Sequence, residues 1–256
     1  GESVSAHYPD AVFRMAAFLK ELGVDVRVLA YVRPPVSFMQ SAFQQRVRSG
    51  GMKALRPKGL WPAYRARFEK LDQAFGRERV TLKPFLRDRL TGGDVVLDLL
   101  AELGLTLDPA EIVRTNESAS LESIAMIFAQ RHLGTGLAMG FPGSHRSNER
   151  FIKALGRIGT QKLAFSPALT DPVMAQNRDD LEWMEERLGT PLADAPPPSD
   201  RPITSEADLL AVAEDACDAL EPLILEAMRA EASGDHGRLT RNLEVLRALC
   251  VWKPGG

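Results

Sequence analysis

VRVLAYVRPPVSFMQSAF, residues 26–43, is the stretch from which the fold is read. VRVLAYV is a short apolar, β-branched run of the kind that forms a buried strand. It stops at Arg33-Pro34-Pro35. Proline lacks the N–H a ladder needs and suits the first turn of a helix, so a strand ends there and a helix begins. Arg33 then stands at the carboxyl end of the strand, with Ser37 and Ser41 four apart on the helix. In open α/β sheets ligands bind outside the carboxyl ends of strands. A guanidinium at that edge, with hydroxyls beside it, suits a phosphate. The plainer alternative is a strand end closed by a surface arginine.

Working outward, residues 9–22 read as a helix with Pro9 in its first turn and Gly23 after its end. The helix behind Arg33 runs over 35–49. A basic connection at 52–60 leads to a helix over 61–75, with Trp61, Tyr64, Phe68, Leu71 and Phe75 at core spacing. RVTLKPF at 79–85 reads as a second strand, expected to lie parallel to and near 26–32 because helices separate the two. Asp94 caps a helix over 94–103. Asn116, Ser118 and Ser120 precede an apolar helix at 121–133, and capping accounts for them. Residues 134–148 form a long glycine-rich loop ending in Ser144, His145 and Arg146. Further helices are expected at 147–159 and 171–188.

ADAPPPSDRP at 193–202 marks a linker. Beyond it, residues 206–233 and 236–251 read as two amphipathic helices forming a hairpin. The expected organisation is an α/β domain over 1–192, a Pro-rich linker over 193–202 and a helical tail over 203–256. The tail is a candidate surface for homo-oligomer formation.

The formal net charge of −2 conceals a strong polarity. Residues 1–90 hold 17 Lys and Arg against 8 Asp and Glu, whereas residues 151–256 hold 11 against 18. The basic third contains the phosphate-like segment, so anionic ligands are favoured there. Nucleic acid is the competing partner. The cations are spread over helices and strands without aromatic interleaving or low-complexity arms, which argues against it. No apolar run is long enough to span a bilayer, and no signal peptide is visible. Cys217 and Cys250 match no metal motif and are read as reduced core residues of a cytoplasmic protein. The four histidines, His7, His132, His145 and His236, fit no ligand spacing.

The strand, Arg33, the proline turn and Ser41 eight residues after the arginine resemble the 3′-phosphate-binding segment of sulfotransferases that use 3′-phosphoadenosine-5′-phosphosulfate (PAPS). Asp98-Leu99-Leu100-Ala101-Glu102-Leu103-Gly104-Leu105 resembles a helix end common in the family. TNESAS at 115–120 is similar to its bacterial carbohydrate-sulfotransferase-like members. The resemblance covers roughly residues 24–130. It implies a P-loop-type parallel sheet flanked by helices, PAPS as donor, and a hydroxyl or amine of a small-molecule or glycan acceptor. It also implies that Arg33 and Ser41 hold the 3′-phosphate. The base in carbohydrate sulfotransferases is often an early glutamate, which makes Glu2 the candidate here. No Gly-rich turn followed by Lys-Ser or Lys-Thr follows a strand, so the phosphosulfate loop is expected to be missing through N-terminal truncation. The alternatives are a P-loop kinase-type transferase, which needs the same absent loop, and a non-catalytic nucleotide-binding or assembly module derived from the fold.

Overall fold

A computed structural model describes residues 8–112, 119–134, 144–193, 199–230 and 243. The described chain divides into two compact units, each built from two separate segments. One comprises residues up to 119 together with 162–206; the other comprises 120–161 together with 207 onward. This grouping differs from the expected division at 192 and 203. Residues 120–161 fall with the tail rather than with the strands. Ile203 belongs to the strand-bearing unit: it is fully buried, its N–H donates to Ala164 O at 2.8 Å, and its carbonyl accepts from Ser166 N–H at 3.0 Å.

The strand-bearing unit begins with α1 (Pro9–Glu21), β1 (Val28–Val32) and α2 (Pro35–Arg48). After a 3-10 turn at Pro57–Leu60 come α3 (Tyr64–Phe75), β2 (Val80–Pro84) and α4 (Val95–Glu102). The later segment adds α7 (Pro167–Gln176) and α8 (Arg178–Leu188). β1 and β2 pair in parallel, in register from Val28 opposite Val80 to Val32 opposite Pro84. Among the described residues they form a two-stranded sheet. Side chains alternate across a strand. Val28, Ala30 and Val32 therefore share a face with Val80 and Leu82, and this face carries the core. Val12 of α1, Tyr64, Phe68 and Leu71 of α3, Met184 of α8 and Leu192 complete it. Each fully buried large side chain contributes about 1.5–3 kcal/mol. The aromatic stripe is thus core, as its spacing predicts, with Trp61 and Phe75 packed at the margin.

α3 starts three residues later than expected. Pro62 and the left-handed Ala63 (φ 51°) break the chain there. A non-glycine residue in that region is strained. The opening is held by a distant carboxylate: Asp180 accepts from the N–H groups of Tyr64 and Arg65, both at 2.8 Å, and from the Trp61 indole at 2.7 Å. Asp180 acts as an N-terminal cap supplied from α8. A second tie joins the same elements. Arg187 makes a paired contact with Asp72, at 2.7 and 2.8 Å, and also donates to Val80 O at 2.8 Å.

The helix expected over 171–188 is two helices. α7 carries Pro172 in its interior and ends at Asn177 (φ −115°), where α8 begins. Pro167 opens α7 at its first position, where a missing N–H is harmless.

The second unit contains α5 (Leu121–Leu133), α6 (Ser144–Leu155), α9 (Glu206–Asp215) and α10 (Leu220–Ala230). Ser120 caps α5 by accepting from Ser123 N–H and donates its own proton to Ile158 O. Leu121, Ile124, Ala125, Ile127 and Phe128 of α5 are fully buried. α6 starts at Ser144, so Ser144, His145 and Arg146 lie in a helical first turn rather than at the end of a loop. The single helix expected over 206–233 is broken by a 3-10 turn at Cys217–Ala219. Pro222 gives the reason. It would clash with the carbonyl of Asp218 in a continuous helix, whereas in the first turn of α10 it is tolerated. Cys217 is exposed, not a core residue. Cys250 and the second arm of the expected hairpin, 236–251, lie outside the described residues. None of the described helices is long and apolar enough to cross a membrane.

Candidate functional site

The strand pair delivers Arg33 and Phe85 side by side at its carboxyl edge. The Phe85 N–H donates to Val32 O at 2.7 Å, one step beyond the last paired residues. The Arg33 guanidinium lies over the Phe85 ring, 4.9 Å from its centroid. Cation–π contact of this kind fixes the head without neutralising it. The Arg33 carbonyl accepts from the Tyr64 hydroxyl at 2.7 Å, so the core-facing helix α3 holds the backbone at the same point. Arg33 is partly buried. Among the described residues no carboxylate pairs with it.

α2 begins immediately after. Pro34 is extended (ψ 151°) and Pro35 occupies the first helical position. The helix N-terminus therefore opens beside the Arg33 backbone, with its dipole favouring an anion. Ser37 donates to Pro34 O at 3.1 Å, which ties down the first turn. Ser41 lies one helical turn beyond Ser37 on the same face, partly buried. It stands six residues into the helix, about 9 Å along its axis from Pro35. Gln40, next to Ser41, is 6% exposed, and its side-chain N–H₂ has no hydrogen-bond partner among the described residues. Nothing in the sequence separates it from Gln44 and Gln45; only burial does.

The other face of the strand pair carries a polar cluster that the sequence reading missed. Tyr31 and Lys83 are register partners and point to the same side. α4 lays Asp98 across them. Asp98 accepts from the Tyr31 hydroxyl at 2.8 Å, pairs with Lys83 at 2.6 Å, and accepts from the N–H and hydroxyl of Thr91 at 3.0 and 3.1 Å. Glu102, one turn on, also pairs with Lys83, at 2.8 Å. Asp98 is 2% exposed. Burial pushes its carboxyl up, but the bonds from Lys83, Thr91 and Tyr31 outweigh burial and hold it well below the usual carboxylate range. The Tyr31 phenol is pushed up to about 12, first by burial and then by its bond to Asp98. A tyrosine whose folded pKa lies above its unfolded value of about 10 stabilises the fold while it is neutral. That contribution is complete below about pH 10 and disappears as pH rises through 12. Urea titrations across this window should show an alkaline fall in stability, and Tyr31→Phe should flatten it. An unchanged alkaline limb in Tyr31→Phe would contradict the assignment.

Of the residues singled out in the sequence, Arg33 lies in the turn between β1 and α2, at the sheet edge, and Ser41 lies six residues into α2. Glu2 lies outside the described residues, as do Asn116 and Ser118. Arg157 pairs with Glu226 at 2.6 Å on an exposed surface. His132 stacks on Phe128, 5.4 Å between centroids. Among the described residues no group of His, Cys, Asp and Glu side chains could hold a metal ion. No protein-family model, no curated protein and no solved structure matches the chain.

Proposed function

We propose that the chain is a sulfotransferase-like protein of the PAPS-dependent family, with a P-loop-type arrangement around the β1–β2 pair and a carbohydrate-like acceptor. The observation that carries the reading is Arg33: a guanidinium fixed at the carboxyl edge of a parallel strand pair, stacked on Phe85 and without a carboxylate partner among the described residues. A cation held in place but not neutralised is suited to a phosphate dianion. Ser41 supplies a hydroxyl donor from α2. In the reaction, the acceptor oxygen or nitrogen bonds to sulfur as the bond from sulfur to the 5′-phosphate oxygen breaks. 3′-phosphoadenosine-5′-phosphate departs, and the acceptor proton passes to a base, the role that the family resemblance gives to Glu2.

Calorimetric titration of the chain with 3′-phosphoadenosine-5′-phosphate and with AMP tests the reading. The expected result is a preference of about tenfold or more for the 3′-phosphorylated nucleotide, the worth of one charge-assisted contact. Equal affinity, or binding of neither, would contradict it. Preferential binding without sulfuryl transfer to any acceptor would favour the non-catalytic module.

A further inference from the structure

From Val26 to Phe68 the chain contains nine Lys and Arg and no Asp or Glu. Five of these cations, Arg46, Arg48, Lys53, Arg56 and Lys58, fall within thirteen residues at the far end of α2 from Arg33, and all five are exposed. The fold gathers them. Gly50, with φ 78°, ends α2, and Gly51 N–H returns to Arg46 O at 2.9 Å, so the chain doubles back on the last helical turn. Met52 and Leu60, 7% and 0% exposed, anchor the two ends of the segment between them. With both ends buried, Lys53, Arg56 and Lys58 are turned outward. Arg46 reaches across and donates to Gly59 O at 2.6 Å, which joins the helix end to the turn that carries Lys58. α7, which packs against that turn, contributes one charged residue, Asp171.

We infer that this surface binds an anionic glycan, a polysaccharide bearing carboxylate or sulfate groups, and so names the acceptor class of the function proposed above, on which it rests. Exposed like charges at this density attract a polyanion by releasing its counterions. Two features favour a glycan over other polyanions. No aromatic side chain lies between Arg46 and Leu60 on which a base could stack. No large apolar side chain is exposed in the segment to enter a lipid interface.

The test titrates the full chain with a heparin-derived dodecasaccharide, and with a single-stranded DNA of equal charge, over a range of salt. The wild type should bind the glycan with strong salt dependence. Lys53→Gln/Arg56→Gln/Lys58→Gln should lower affinity by roughly 10- to 100-fold and reduce the salt slope by about three. Lys53→Arg/Arg56→Lys/Lys58→Arg, which keeps the charge, should bind as the wild type does. Arg46 is left in place because it supports the turn. Tighter binding of the DNA, equal affinity of the triple Gln variant and the wild type, or no glycan binding at low salt would each overturn the inference. 3′-phosphoadenosine-5′-phosphate affinity is measured on the same variants and should not change. Loss of glycan binding with retained nucleotide binding supports the surface, whereas nucleotide binding that fails in the wild type sinks the underlying function instead.

Discussion

Asp98→Ala is expected to destabilise the strand-bearing unit by about 3 kcal/mol, the low end of the cost of breaking a buried ion pair. The carboxylate is almost fully buried and satisfies four groups from three places in the chain: Tyr31 on β1, Lys83 on β2, and the N–H and hydroxyl of Thr91. Removing it leaves Lys83 with Glu102 alone and leaves the Tyr31 hydroxyl and the Thr91 N–H without an acceptor. The cost lies at the low end because the Lys83 side chain keeps 22% exposure and can recruit water. Asp98→Asn, which preserves an acceptor oxygen, should lose about half as much. For a unit of this size, roughly 2–4 °C of melting temperature corresponds to each kcal/mol, so Asp98→Ala should melt about 6–12 °C lower. The pH dependence has a fixed sign. The folded carboxyl lies below its unfolded value of about 3.9, so its contribution is complete above that value. It is lost as pH falls toward the folded value, and the wild type and Asp98→Ala should converge in stability in strong acid. A change below 1 kcal/mol at pH 7 would show that the cluster is an incidental surface network.

This cluster also shows where the sequence stops being readable. In DVVLDLLAEL the valines and leucines look like the buried stripe and the acids like the wet one. The structure inverts part of that pattern: Val96, Leu99 and Leu103 are 39–62% exposed, while Asp98 is buried against the strands. Period alone cannot say which stripe of a short helix faces inward. The clue was available only jointly, in Tyr31 and Lys83 falling on one strand face and Asp98 and Glu102 lying one turn apart. By contrast, β1, β2 and their parallel pairing were legible, because β-branched runs ended by proline and separated by helices leave few alternatives. The break at Cys217 was signalled by Pro222, which a continuous helix does not tolerate beyond its first turn, whereas the break at Asn177 lies five residues after Pro172, through which α7 continues, and is not explained by it. The division into two discontinuous units left no local trace. It depends on contacts between residues 120–161 and residues beyond 207, which neither segment announces.

Under the proposed function Arg33 is the residue that anchors the nucleotide, and its replacement should have the largest effect on ligand binding. Its backbone is held by Tyr64 and its head by Phe85, so Arg33→Ala removes the charge while Pro34, Pro35 and the start of α2 keep their places. The contact it would make with a phosphate is charge-assisted and partly sheltered, a class that contributes about 1.5–3 kcal/mol. Arg33→Ala should therefore weaken 3′-phosphoadenosine-5′-phosphate by roughly 10- to 150-fold. Arg33→Lys should recover only part of the loss, because a point charge cannot reproduce the planar fork over Phe85. The decisive measurement is calorimetric titration of the wild type and Arg33→Ala with 3′-phosphoadenosine-5′-phosphate and with AMP. The account predicts the full loss for the first nucleotide and little change for the second, because the missing contact is to the 3′-phosphate alone. Equal losses for both nucleotides, or no loss for either, would contradict it.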